Sequence, residues 1–295
     1  MRDYLIRGMD KLGRLRVFAA VTTGVVDEFR KTHNSSATAT AAVGRAITAA
    51  AMMAATMKDE KNKMTFKVAG DGPLGSIIVV ANSQGNIKAL ADNPQADVPS
   101  TPEGKLDVGS VVGRNGTMAV IMDLGLKEPY VGQSSLITGE IGEDLANFYM
   151  VSEQNPTAIS LGVLVEKDLS CRAAGGYMIQ ALPFITEEEI EQIETAIKNS
   201  EPISTMVDKG MRPEEIIASV LPGFDMEITD IHELRYKCDC SMSKIRDVLV
   251  SLGETEIQSM LDEDGESEVV CHFCNTKYKF DGAELEKILL TIRGE

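Results

Sequence analysis

The chain runs to 295 residues, 43% hydrophobic and 25% charged, with a formal net charge of −16, which suits one large globular domain joined to a small one. So acidic a chain argues against a nucleic-acid partner, because phosphate contacts need a basic face. The most apolar stretch, Ala46 to Met57, is too short to cross a bilayer, and the charge-studded N-terminal residues through Arg16 do not read as a secretory signal, so a cytoplasmic protein with no membrane partner is expected.

The expected fold class is α+β: an N-terminal mixed core of β-sheets and helices, a helical linker, and a small C-terminal domain that carries two cysteine pairs, Cys238 with Cys240 and Cys271 with Cys274, at zinc-binding spacing. Residues 4–9 and 15–22 read as a hairpin turning at Lys11-Leu12-Gly13, with Val17, Ala19 and Val21 alternating with Phe18, Ala20 and Thr22. Val25 to Lys31 reads as a helix capped by Thr22 or Thr23, and Ser35 to Met57 as a buried helix of small residues packed on a sheet. Strands follow over 64–68, 76–81 and 87–91. Between the first two, Gly70-Asp71-Gly72-Pro73-Leu74-Gly75 matches the dinucleotide-binding fingerprint, with Asp92 near the place of its ribose-binding acid. Pro73 interrupts that motif, and Ser76 to Val80 is a strand where the fingerprint requires a helix, so the segment reads as a glycine turn.

Residues 92–112 read as loop, 116–124 and 134–139 as strands, 142–152 as a helix, and 158–165 with 171–182 as a final strand pair. After Pro183 the character changes. Thr186 and Glu189 form a capping box for a helix to Asn199, and 202–210 and 213–221 are two more short helices. These segments are acidic, broken by Pro and Gly, and poor in apolar area. The expected division is therefore 1–183 as core, 184–231 as a docked helical linker with a low local unfolding cost, and 232–295 as the metal-binding domain. Within the last, helices are expected over 241–252 and 255–262, a hairpin over 268–280, and a helix to Ile292 opened by a capping box of Asp281 and Glu284.

Four of the five cysteines fall in two clusters, Cys238-Asp239-Cys240 and Cys271-His272-Phe273-Cys274. Two thiolates this close grip one ion from a single turn, and two such pairs complete the tetrahedral site that suits zinc. One zinc per chain is expected on Cys238, Cys240, Cys271 and Cys274, with His272 outside the ligand set. Segment 232–295 carries 14 acidic and 8 basic residues, unlike a nucleic-acid zinc ribbon, and is too small to bury much core, so a metal holding it together is also holding it folded. Zinc keeps thiolates deprotonated, and thiolates are what oxidants attack. Neighbours can then pair, Cys238 with Cys240 and Cys271 with Cys274, the first through a very short and easily reduced ring. A thiol oxidoreductase would open a helix with its C-x-x-C, whereas Cys271 follows the strand-like Glu268-Val269-Val270. Cys171 stands apart as an inert strand thiol, and without a catalytic constellation no enzyme is expected.

With the cysteine spacing go Ala42-Val43-Gly44-Arg45, Ile137-Thr138-Gly139-Glu140, Ser152-Glu153-Gln154, Ala173-Ala174-Gly175-Gly176, Glu201-Pro202-Ile203-Ser204 and Glu263-Asp264-Gly265. On these residues the chain resembles, over essentially its whole length, the redox-regulated heat-shock holdases, the thirty-three-kilodalton bacterial chaperonins. The resemblance implies an ATP-independent chaperone that is folded and largely inactive when reduced and zinc-bound. Peroxide with heat, or hypochlorite, would form the two neighbouring disulfides and release zinc. The C-terminal domain and linker would then unfold, and the chain would tend to form a homodimer and hold unfolding client proteins.

Overall fold

The computed structural model describes residues 2–294, which form two compact units divided between Lys237 and Cys238. In the larger unit, β1 (Tyr4–Asp10) and β2 (Leu15–Val21) make the expected hairpin, followed by α1 (Thr23–His33) and α2 (Ala37–Ala54). The cap of α1 is not a threonine hydroxyl. Thr22 makes no side-chain cap bond, and the buried Asp3 carboxylate instead accepts the Val25 N–H at 2.6 Å. Next come β3 (Lys63–Ala69), β4 (Ser76–Asn82), β5 (Asn86–Ala91), α3 (Val108–Val112), β6 (Thr117–Asp123), β7 (Tyr130–Ser135), α4 (Gly142–Val151), β8 (Thr157–Val165) and β9 (Cys171–Ala181). The linker segment supplies α5 (Glu187–Asn199), α6 (Ile203–Asp208) and α7 (Pro213–Val220), and β10 (Met226–Glu233) and β11 (Arg235–Tyr236) close the unit.

These strands build a five-stranded sheet in the order β10-β1-β2-β9-β8 and a six-stranded sheet in the order β11-β5-β4-β3-β6-β7. Within the first, β2 is apolar on both faces because both faces are covered. Phe18 and Ala20 point into the core shared with α1, α2 and the second sheet, while Val17, Ala19 and Val21 point the other way, toward Ile203, Met206, Ile216 and Val220 of α6 and α7. β9 alternates in the same manner, with Ala174 and Met178 on the first side and Ala173, Tyr177 and Ile179 on the second. The linker is thus one wall of a second hydrophobic core, not a polar strap, and α6 and α7 bury Ile203, Met206, Val207, Ile216, Ile217 and Val220 in it. α2 is long and apolar enough to cross a membrane, but 89% of that window is buried inside the protein, which makes it the central core helix.

Three departures from the sequence reading have local causes. The strand expected over 134–139 lies at 130–135, because Ile137 and Thr138 turn to donate their N–H groups to the Asp144 carboxylate. α3 forms within the segment read as loop, capped by Asp107. β10 and β11 occupy residues read as linker end and domain start. In β10 the apolar alternation is broken between Ile228 and Ile231, since a bulge against Arg7 and Gly8 inserts one extra residue. The glycine motif is a turn, as expected, and its glycines serve close packing. A Cβ on Gly72 would lie 2.4 Å from the Val111 carbonyl oxygen and one on Gly70 2.1 Å from that of Val112, so the turn sits directly against the end of α3.

The smaller unit contains α8 (Met242–Leu252), α9 (Glu254–Glu263), the hairpin of β12 (Glu266–Val270) and β13 (Lys277–Asp281), and α10 (Gly282–Arg293) opened by the Asp281–Glu284 capping box. Its core is Leu249, Ile257, Phe280, Leu285, Ile288 and Leu289.

Arg14, in the β1–β2 turn, ties the linker down. Its guanidinium pairs with the fully buried Asp10 carboxylate at 2.7 Å, pairs also with Glu189 of α5, and stacks 4.8 Å over the Phe224 ring beyond α7. The Arg14 side chain holds the Asp10 carboxyl below its ordinary range. Because the folded-state value is the lower one, the contribution is complete above the unfolded value, near pH 4, and is lost as pH falls further. Arg14→Ala should leave the Asp10 carboxylate with only its backbone N–H donors from Leu12 and residue 14, which destabilises this turn, and should loosen α5. Hydrogen exchange over 187–199 should quicken markedly at pH 7; unchanged protection would show that the linker does not depend on this contact.

Candidate metal centre

The two cysteine clusters arrive from different local structures. Cys238 and Cys240 lie in the extended segment before α8, whose first turn is capped by Ser241 accepting the Lys244 N–H at 3.3 Å. Lys244 then reaches back, its ammonium donating to the Asp239 carbonyl and carboxylate oxygens, each at 2.7 Å. That clamp fixes the residue between the two sulfurs. Cys271 and Cys274 occupy the turn between β12 and β13. The Cys271 N–H donates to the Thr276 carbonyl at 2.9 Å, and the Asn275 N–H donates to the Cys271 carbonyl at 2.7 Å, with Asn275 in the left-handed region at φ 56°. Asparagine tolerates that conformation better than most residues, and the turn aims both sulfurs to one side.

All four sulfurs lie within 4.8 Å of one another. Cys238 Sγ is 3.7 Å from Cys271 Sγ, and Cys240 Sγ is 3.4 Å from Cys274 Sγ. In a tetrahedral zinc–thiolate site with bonds near 2.3 Å, sulfurs stand about 3.8 Å apart, so the residues present fit such an ion. The two short separations run between the clusters, and proximity by itself favours no disulfide pairing. His272 is exposed and outside the four-sulfur group.

The surroundings treat the sulfurs unequally. Burial pushes the Cys271 thiol up. Burial also works against ionisation of Cys274, but the hydroxyl and backbone N–H of Thr276, with the Cys240 and Cys271 sulfurs, bring it down to about 7. The Tyr278 hydroxyl donates to Cys240 Sγ at 3.0 Å, and Thr276 Oγ1 lies 3.2 Å from Cys274 Sγ. Such outer hydrogen bonds orient thiolate ligands and offset their charge. Sequence reading passed over Tyr278, Thr276 and Lys244; the only signal was a hydroxyl two and four residues beyond Cys274, on a strand expected to fold back beside it.

Cys171 is separate from this group. It opens β9 in the larger unit, is buried, and donates its backbone N–H to Asp27 at 3.1 Å. Burial, with the Asp27 and Asp3 carboxylates behind it, pushes its thiol up to about 12, which leaves almost no thiolate at neutral pH.

The profile of the family described as Hsp33 protein matches residues 3–281. A 33 kDa chaperonin of Alkaliphilus metalliredigens is 43% identical over 289 residues, covering 98% of this chain and 99% of its own. One of Bacillus cytotoxicus is 40% identical over 292 residues, covering 99% and 100%. The crystal structure of the 33 kDa chaperonin of Thermotoga maritima superposes with a TM-score of 0.91 at 34% identity, covering 100% of both chains.

Cys271→Ser should lower zinc affinity by more than about 100-fold, and Tyr278→Phe by about tenfold, in keeping with loss of a ligand and of an outer hydrogen bond. Competition against a chelating dye measures both, and full-affinity binding by the Cys271 variant would contradict the ligand assignment. Cys171→Ser should keep zinc and its response to oxidant; a folded Cys171 variant that no longer responds would make that thiol part of the device.

Proposed function

The chain belongs to the Hsp33 family of chaperones, and from that premise we propose that it is an ATP-independent holdase switched on by oxidation of its four clustered cysteines. In the reduced state Cys238, Cys240, Cys271 and Cys274 hold one zinc ion. When bound, the ion keeps four thiolates together and links the segment before α8 to the β12–β13 turn. The observation that carries the reading is the convergence of four sulfurs within 4.8 Å in a unit whose core is six buried apolar side chains with seven half-buried ones packed against them. A core of this size gives only marginal stability, which a metal cross-link supplements.

Oxidation supplies the switch. A thiolate attacks peroxide, expels hydroxide and becomes a sulfenic acid. A neighbouring thiolate then displaces a second hydroxide to close a disulfide, so two thiolates lose two electrons and one peroxide leaves as two hydroxides, which two protons from solvent convert to water. Two disulfides, Cys238 with Cys240 and Cys271 with Cys274, consume two peroxides and leave no thiolate ligands. Both close very short loops and restrain the unfolded chain little. Residues 232–295 then lose their fold, and linker 184–231, which follows the core domain 1–183, loosens with them.

Release of the linker would uncover the second face of the five-stranded sheet, where Val17, Ala19, Val21, Tyr177 and Ile179 are packed against α6 and α7. A contiguous apolar face of this kind suits unfolding client proteins, which present apolar segments without a fixed sequence. The oxidised chain forms a homodimer and works in the cytoplasm, and it acts by holding rather than by catalysis.

Hydrogen exchange on reduced and oxidised protein, beside light scattering from a heat-unfolded client, tests the switch. Oxidation should strip protection from 238–294 and from 187–220, spare β3 to β6, and suppress client aggregation. Suppression with 238–294 still protected would mean that unfolding is not the switch. Oxidised protein that suppresses nothing would leave the metal as a structural staple.

A further inference from the structure

Among the linker helices, α5 is the one seated over a hole. Ile193 is its one buried residue, whereas Ile190 and Ile197, a turn to either side on the same face, are only half-buried. Beneath them lies a cavity of about 530 Å³, floored by Ala158 and Ile179 of the sheet and walled on the far side by Ala146 and Met150 of α4. That volume falls within the range of small-molecule sites, and its lining has their character, mostly apolar with a few polar groups at the edge. Glu194 is the one charged residue in the lining. It is exposed and, unlike Glu189, which pairs with Arg14, forms no ion pair among the described residues. On its side of α5 stand Glu187 and Glu191, with Lys198 one turn beyond, so acidic side chains outnumber basic ones at the mouth, which favours cations over anions.

We propose that this cavity binds a cationic amphiphile, an aliphatic chain that fills the space under α5 with an ammonium head paired to Glu194. The two walls belong to different helices, and only docked α5 completes the site. A ligand that requires both walls holds α5 in place by mass action. It buries the exposed flanks of Ile190 and Ile197, supplying the apolar contact that the helix lacks. Binding and bracing of α5 stand apart from the redox reading; only the consequence, a brake on linker release, rests on it.

Decylammonium, below its micellar concentration, is titrated by calorimetry into reduced, zinc-loaded full-length protein, with decanoate as the anionic counterpart. Saturable binding is expected, at least tenfold tighter for the ammonium. At a free concentration ten times Kd, exchange of amides in 187–199 that open by undocking should slow about tenfold. Glu194→Lys, on an exposed position, should reverse the preference toward decanoate. Ala158→Leu, which fills the floor, should abolish binding while itself protecting α5. Absence of saturable binding, a charge preference indifferent to Glu194→Lys, binding retained in Ala158→Leu, or binding with no added protection of 187–199 would each overturn the proposal.

Discussion

A sheet that is apolar on both faces must be covered on both, and the larger unit is built around that constraint. β2 and β9 send Phe18, Ala20, Ala174 and Met178 to one side and Val17, Ala19, Tyr177 and Ile179 to the other. The first side meets α2, a helix of small residues buried along nearly its whole length. Its cover is made of elements that also pack on the second sheet, so it cannot leave without dismantling the unit. The second side meets the linker helices, which pack on that face and on little else. The two covers bury similar chemistry but differ in what else holds them.

That difference gives the linker its character. α6 and α7 are seated by Ile203, Met206, Val207, Ile216, Ile217 and Val220, whereas α5 relies on one buried isoleucine and on the ion pair from Arg14 to Glu189. Local stability follows the number of buried apolar contacts, so α5 is the natural first element to lift. Arg14 joins it to the β1–β2 turn and to Phe224, and one side chain thereby links both ends of the helical segment to the sheet.

The smaller unit solves the opposite problem. It has helices and a hairpin but a small core, in which Leu249, Ile257, Phe280, Leu285, Ile288 and Leu289 are buried and a shell of half-buried side chains packs against them. Four sulfurs within 4.8 Å of one another provide the cross-link that burial does not. Three of its hydrogen-bonding side chains serve those sulfurs: Lys244 holds Asp239 between two of them, and the hydroxyls of Tyr278 and Thr276 face two of the four. A chemical change confined to the sulfurs therefore acts on the whole unit. An equal change at Cys171 meets a thiol buried in a strand, where packing and not ligation holds the structure.

What the sequence by itself determined was whatever depends on spacing along the chain. The cysteine pairs, the capping boxes of α5 and α10, the β1–β2 hairpin and the buried helix α2 all follow from residues a few positions apart. The resemblance to the redox-regulated holdases likewise rested on short motifs, and the family comparison agrees with it. Tertiary structure alone decided the rest. β10 was hidden because a bulge breaks its alternation, and its partner β1 lies more than two hundred residues away in sequence. Asp3 caps α1 and Arg14 grips α5 through contacts that no local pattern announces. The linker composition did not show that its isoleucines and valines complete a second core, because burial is a property of the face they meet, and that face is made by strands from both ends of the larger unit.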